Sequence, residues 1–311
     1  MANKSLLLFI AVLLLVAPAA AAAGQPRVLV SLLPVHSLVA AVMQGVGTPE
    51  LLLSGGASPH SFSLRPSQVR SLQQADLLVW VGPELETFLS RSLLGQPLPG
   101  RLLTLSDRAE LDWLPGRAAG LQVQGDGHEV ADSDRHQHAG RDSHFWLSPR
   151  RAMILVEIVC RELVEIDPRN AERYRENRQK LRKQLIALQR EVSARLDAAR
   201  GLPYVVFHDA YRYFEDEFRV SPAAIVSINP ERPPGARRIS AIRDEVIRRR
   251  IKCVFSEPQF EPRLVRVLTE GTSARSGVLD PLGAELTPGP EAYRQLLDNL
   301  ARNFAGCLTE P

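Results

Sequence analysis

Apolar and polar positions set up two α/β regions separated by one long helical stretch. Through the first hundred residues, short apolar runs alternate with helical spacing. Residues 28–33, 51–53, 77–81 (LLVWV) and 102–105 read as strands, with helices at 37–43 and 66–74 between them. Strands alternating with helices predict a parallel sheet flanked by helices. From 120 to 143 the pattern fails. The run QGDGHEVADSDRHQHAGRDS is acidic and histidine-rich with no apolar period, and it reads as a mobile loop. Beyond it, Asp167 is placed to cap a helix with Pro168 at its first position. Tyr174, Leu181, Leu185, Leu188, Val192 and Leu196 then recur at helical spacing until Gly201. Over 168–200 such a helix spans roughly 50 Å at 1.5 Å per residue, enough to act as a strut. The strand–helix pattern resumes at 204–207, 223–228, 252–255 and near Val278.

The predicted organisation is a leader at 1–23, an N-terminal α/β lobe at 24–166 that includes the loop 120–143, a linking helix at 167–200 and a C-terminal α/β lobe at 201–311. The leader is predicted because Lys4 precedes an apolar run at 6–16, then Pro18 and an alanine tract ending at Ala23. That is the pattern of a secretory signal peptide. The run falls short of the ~20 residues needed to span a bilayer. No cysteine follows it, so no lipid anchor is expected, and the mature chain is placed free in the periplasm from about Gly24. No later stretch is expected to cross a membrane.

Charge changes the picture little. The formal net charge is +3 over 311 residues, which gives no support to a nucleic-acid partner. The densest basic run, 237–252, carries Ile239, Ile242, Val246, Ile247 and Ile251, and so reads as an amphipathic helix with a solvated basic face. Of the three cysteines, Cys160 lies in an apolar helical stretch and reads as a buried small hydrophobe. Export permits a disulfide, and a Cys253–Cys307 bridge is favoured over three free thiols.

Seven histidines are present, and none shows HExxH or zinc-finger spacing. Any metal site must therefore be assembled from distant segments. His60 follows the second strand, His208 directly follows the apolar run YVVF, and His144 stands between the acidic loop and a helical segment. These are loop positions at or near strand ends, where α/β folds present ligands, and imidazole suits Zn²⁺.

Seven ordered segments carry a resemblance over almost the whole chain: SPHSFSLRPSQV at 58–69, DLLVWVGPELE at 76–86, SHFWLSP at 143–149, VFHDAYRYFE at 206–215, NPERPPGARR at 229–238, CVFSEPQF at 253–260 and GVLDPLG at 277–283. The chain resembles the zinc-specific solute-binding proteins of bacterial ABC importers, the ZnuA type. The resemblance implies two lobes joined by a rigid helix, with one Zn(II) held in the inter-lobe cleft as transported ligand. It implies metal ligands at His60, His144 and His208, an acidic group near the metal at Asp280, and a disulfide at Cys253 and Cys307. It also implies delivery of zinc to an ABC permease; the chain is expected to be a monomer and not an enzyme.

Some relatives carry a carboxylate just before the first ligand histidine. Here Pro59 fills that place, and the motif match makes Asp280, directly or through a bridging water, the expected fourth ligand, with a water molecule alone as the alternative. Manganese-transporting relatives tend to pair two histidines with two carboxylates, whereas three imidazoles suit tetrahedral Zn²⁺. Zinc-specific members of the family often carry an acidic, histidine-rich loop here, and the resemblance to them implies an auxiliary weak metal site at His128, His136 and His138 with their acidic neighbours. His36 reads as a packing residue. A zinc hydrolase would need a poised general base, and neither Glu215 nor Glu257 is marked as one by the sequence. A surface adhesin on the same fold is disfavoured by the missing anchor and the histidine-rich loop.

Overall fold

The computed structural model describes residues 24–54, 56–95, 98–117, 140–227, 234–260 and 263–309. The leader 1–23 and the histidines His128, His136 and His138 lie outside the described residues.

Two all-parallel four-stranded sheets repeat one topology. In the first half β1 (Val28–Val30), β2 (Glu50–Leu51), β3 (Leu77–Trp80) and β4 (Arg101–Thr104) take the order β2-β1-β3-β4. In the second, β5 (Tyr204–His208), β6 (Ala224–Ser227), β7 (Cys253–Ser256) and β8 (Arg275–Val278) take the order β6-β5-β7-β8. The helices of the first half are α1 (Leu33–Val42), α2 (Pro66–Gln74) and α3 (Thr87–Gly95), followed by α4 (Pro149–Ile166). The second half contributes α6 (Arg212–Phe218), α7 (Ala236–Arg248), α8 (Arg263–Thr269) and α9 (Ala292–Thr309).

The first strand ends earlier than the apolar run suggests, because α1 begins at Leu33, the last residue of that run, with Pro34 in its first turn. The long linking helix is α5, Ala171–Leu196, flanked by 3₁₀ turns at Pro168–Asn170 and Asp197–Ala199. Its 26 residues make roughly 39 Å at 1.5 Å per residue, shorter than expected. Asp167 does not cap it by side chain. Its Oδ2 instead accepts from Asn170 Nδ2 at 2.6 Å and from the Tyr174 hydroxyl at 2.9 Å. The basic helix α7 buries Ile242 and Val246 as its spacing predicts, but it stops at Arg248, and Ile247 is exposed.

The two halves share one apolar core. Residues of α1, α4, α5 and α9 and the inner faces of both sheets form a continuous cluster, with Asn177 of α5 donating to Val42 O and Gln44 O at the end of α1. Strand β5 shows the period-2 logic that splits its side chains. Tyr204 and Val206 join this shared core, while Val205 and Phe207 face a second cluster under α7 and α8. The next residue, His208, sits at the strand's C-terminal end, where open α/β sheets bind ligands.

Candidate metal centre

Three histidines converge from separate elements. His60 comes from the connection after β2, where Ser58 Oγ accepts its backbone N–H at 3.3 Å. His144 stands just before the 3₁₀ turn Phe145–Leu147, and His208 ends β5. Their ring centroids lie 5.1 Å (His144–His208), 5.5 Å (His60–His208) and 6.3 Å (His60–His144) apart. Each offers one ring nitrogen, and these three atoms all lie within 4.8 Å of one another. Zn–N bonds of about 2.0–2.1 Å in a tetrahedron space the nitrogens roughly 3.3 Å apart, so modest ring adjustments close the set on a metal.

Carboxylates orient two of the rings. Asp142 Oδ1 accepts from both the backbone N–H and Nδ1 of His144, each at 2.8 Å. Nδ1 of His208 faces Glu257 Oε2 at 3.4 Å, and Glu257 Oε1 accepts from the Tyr211 hydroxyl at 3.1 Å. With Nδ1 as the donor, Nε2 of each ring keeps its lone pair for a metal. Nε2 of His60 is buried with no hydrogen-bond partner, an orphaned atom of the kind a cation satisfies.

The electrostatics favour the neutral imidazole at His60 and His208. Burial, with the neighbouring His208 and His144, lowers His60 to about 3. Burial and His144 lower His208 to about 3 as well. His144 differs. Burial pulls it down, but the hydrogen bond and charge of Asp142, with Glu257 and Asp209, together raise it above its ordinary value. Burial pushes the Glu257 carboxyl up to about 8 against the opposing pull of His144 and Tyr211.

Asp280 stands outside this trio. Its Oδ1 accepts from Gln259 Nε2 and from the backbone N–H groups of Leu282 and Gly283, and its Oδ2 accepts from Ala284 N–H at 2.6 Å. The carboxylate thus caps its own loop. His36 is buried, with Nε2 3.0 Å from Pro49 O, a position tying α1 to the loop before β2. Glu215 is held by Arg117 and by the Tyr204 hydroxyl.

The carboxylates behind the rings are the part that motif reading missed. For Asp142 a signal existed, since a carboxylate two residues before a histidine can reach its ring. For Glu257 none did, because the contact joins the last residue of β5 to the residue that follows β7, far apart in sequence.

Comparisons with known proteins give the family of the chain. The family profile described as "ZnuA: Zinc-uptake complex component A periplasmic" matches residues 28–307. The chain is 40% identical over 312 residues to the high-affinity zinc uptake system protein ZnuA of Brucella suis biovar 1, covering 93% of each. It is 35% identical to the protein of the same name from Yersinia pestis, covering 92% of each. Among solved structures, the solute-binding protein FpvC of Pseudomonas aeruginosa in complex with Mn²⁺ superposes with a TM-score of 0.78 at 21% identity, over 92% of this chain and 99% of that one. At that identity the likeness is one of fold.

Proposed function

Because the chain belongs to the family of periplasmic A components of zinc-uptake complexes, we propose that it captures Zn(II) in the periplasm and hands it to a membrane permease of the ABC type. In this reading His60, His144 and His208 hold the ion, and the protein acts as a monomeric carrier. The family is one of metal-binding transport components rather than enzymes. Among the described residues no helix is long and apolar enough to cross a membrane.

The observation that carries the reading is the trio of ring nitrogens within 4.8 Å of one another, backed by Asp142 and Glu257. Three imidazoles favour Zn²⁺ over Mn²⁺, which seeks oxygen donors and higher coordination. Three imidazoles alone put no negative charge among the direct ligands of a +2 ion. We assign the fourth position to Asp280 acting through a bridging water, a form that preserves the hydrogen bonds its carboxylate makes in its own loop. Asp280→Asn then weakens zinc binding, and wild-type affinity in that variant removes Asp280 from the site.

The test is a competition titration with a zinc chelator. Wild-type protein takes up one tightly bound equivalent, and His60→Ala, His144→Ala and His208→Ala each lose orders of magnitude in affinity with an unchanged far-UV spectrum. Wild-type titrations from two of the three variants would defeat the assignment.

A further inference from the structure

Arg117 belongs to the first half of the chain, yet its guanidinium ends among acidic groups of the second. Nη1 donates to Asp209 Oδ1 at 2.6 Å and Nη2 to Glu215 Oε2 at 2.5 Å. The side chains are 12%, 5% and 4% exposed, so this is a buried strap rather than a surface pair. Asp209 directly follows His208, and its N–H donates to Ser227 O on β6 at 3.2 Å.

At its other end Arg117 is part of a short clip. Gly116 N–H donates to Gly140 O at 2.7 Å, Asp142 N–H donates to Leu114 O at 2.9 Å, and Pro115 pairs antiparallel with Arg141. The clip also docks on α6, where the Tyr213 hydroxyl accepts from Leu114 N–H and donates to Asp142 O, both at 2.9 Å. Asp142 is the residue whose carboxylate holds the ring of His144. One guanidinium therefore connects the anchor of His144 to the neighbour of His208.

We propose that Arg117 is a positioning residue for the metal site, setting the separation of His144 and His208 by tying the clip that carries Asp142 to Asp209 and Glu215. The proposal rests on the three-histidine reading above. A guanidinium suits the task because its planar fork reaches two carboxylates in a fixed geometry, where an ammonium is a point charge on a flexible stem. Without it, two buried carboxylates face each other with no cation between them, and the chain after His208 is free to move away from the clip.

Co²⁺ is the probe, because its visible absorption reports coordination number and ligand geometry. Wild type, Arg117→Lys, Arg117→Gln and the double variant Arg117→Gln/Glu215→Gln are compared, the last removing one orphaned carboxylate so that folding is retained. Expected are a four-coordinate spectrum for wild type and a shifted, weakened spectrum for Arg117→Gln. Affinity for Co²⁺ and Zn²⁺ should fall about tenfold or more, the range for groups that orient a ligand from behind, with Arg117→Lys intermediate. A wild-type spectrum and affinity in Arg117→Gln or in the double variant, with only the melting temperature lowered, would show that Arg117 serves folding alone and overturn the proposal. A wild-type spectrum without nitrogen-ligated four-coordinate character would instead bring down the three-histidine reading on which it rests.

Discussion

Asp142 makes two contacts to His144, one to the backbone N–H and one to the ring, so it fixes both where the residue sits and which nitrogen is left for a metal. Its replacement by Ala is expected to weaken zinc binding 10–100-fold with the fold intact, and Asn, which keeps an acceptor, to weaken it less. A competition titration reads this directly, and equal affinities for wild type and Asp142→Ala would contradict it. Glu86 poses a different residue-scale problem. It is fully buried, one oxygen accepts from Gly82 N–H at 2.9 Å, and the other has no partner. Burial raises its carboxyl to about 7, against the opposing pull of Ser31, Gly82 and Val81. The folded chain therefore keeps a proton that the unfolded chain releases near 4.5. The stability contributed by the protonated form is fully present below pH 4.5 and is lost as pH rises through about 7. Glu86→Gln escapes this loss, so it should match wild type near pH 4 and exceed it by roughly 1–3 kcal/mol at pH 8. Urea unfolding at the two pH values decides the matter, and a stability difference independent of pH counts against the buried proton. Histidine was legible at this scale because its type and loop position speak for themselves. Glu86 and Arg117 were not, since a lone acidic or basic residue in sequence gives no sign of being buried.

At the scale of elements, the bridge between Cys253 on β7 and Cys307 on α9 ties the last helix to the second sheet. Cys160 stays free and buried in α4. Gly277 on β8 makes room for this arrangement, because a Cβ there would come within 2.6 Å of the Phe255 ring and 3.1 Å of Cys307 Sγ. The cysteines are 54 residues apart, and the chain-entropy account gives a bridge over that span about 4 kcal/mol of stabilisation. Replacing both with Ser is expected to lower unfolding free energy by up to that amount while zinc affinity stays put, as none of the three histidines lies on α9. A large loss of zinc affinity in the folded double variant would contradict the independence of bridge and site. Strand and helix placement was readable where the apolar period was clean, as in α2, β3 and the apolar face of α5. The ends were less so. The start of α1 at Leu33 cut the first strand short, and Asp167 turned its side chain to Asn170 and Tyr174 rather than to a helix N-terminus.

The whole molecule is two repeats of one sheet topology sharing a single apolar core through α1, α4, α5 and α9. The two-lobe α/β plan with a long helix was legible from alternating periods alone, but the continuity of the core was not, because periodicity says which face is buried and not against what. A shared core resists large rigid-body opening, since separating the halves would expose apolar surface at roughly 25 cal/mol per Å². Zinc-loaded and chelator-treated protein should therefore give superimposable small-angle scattering curves, and a contraction beyond error on zinc addition would indicate a hinge that this core does not permit. The central claim is narrower: one zinc ion held by His60, His144 and His208. Anomalous diffraction at the zinc edge from crystals of the zinc-loaded protein tests it most directly. The account predicts one peak bounded by ring nitrogens of these three residues at about 2.0–2.1 Å. A peak that lies elsewhere, or that any one of the three histidines does not reach, would contradict it.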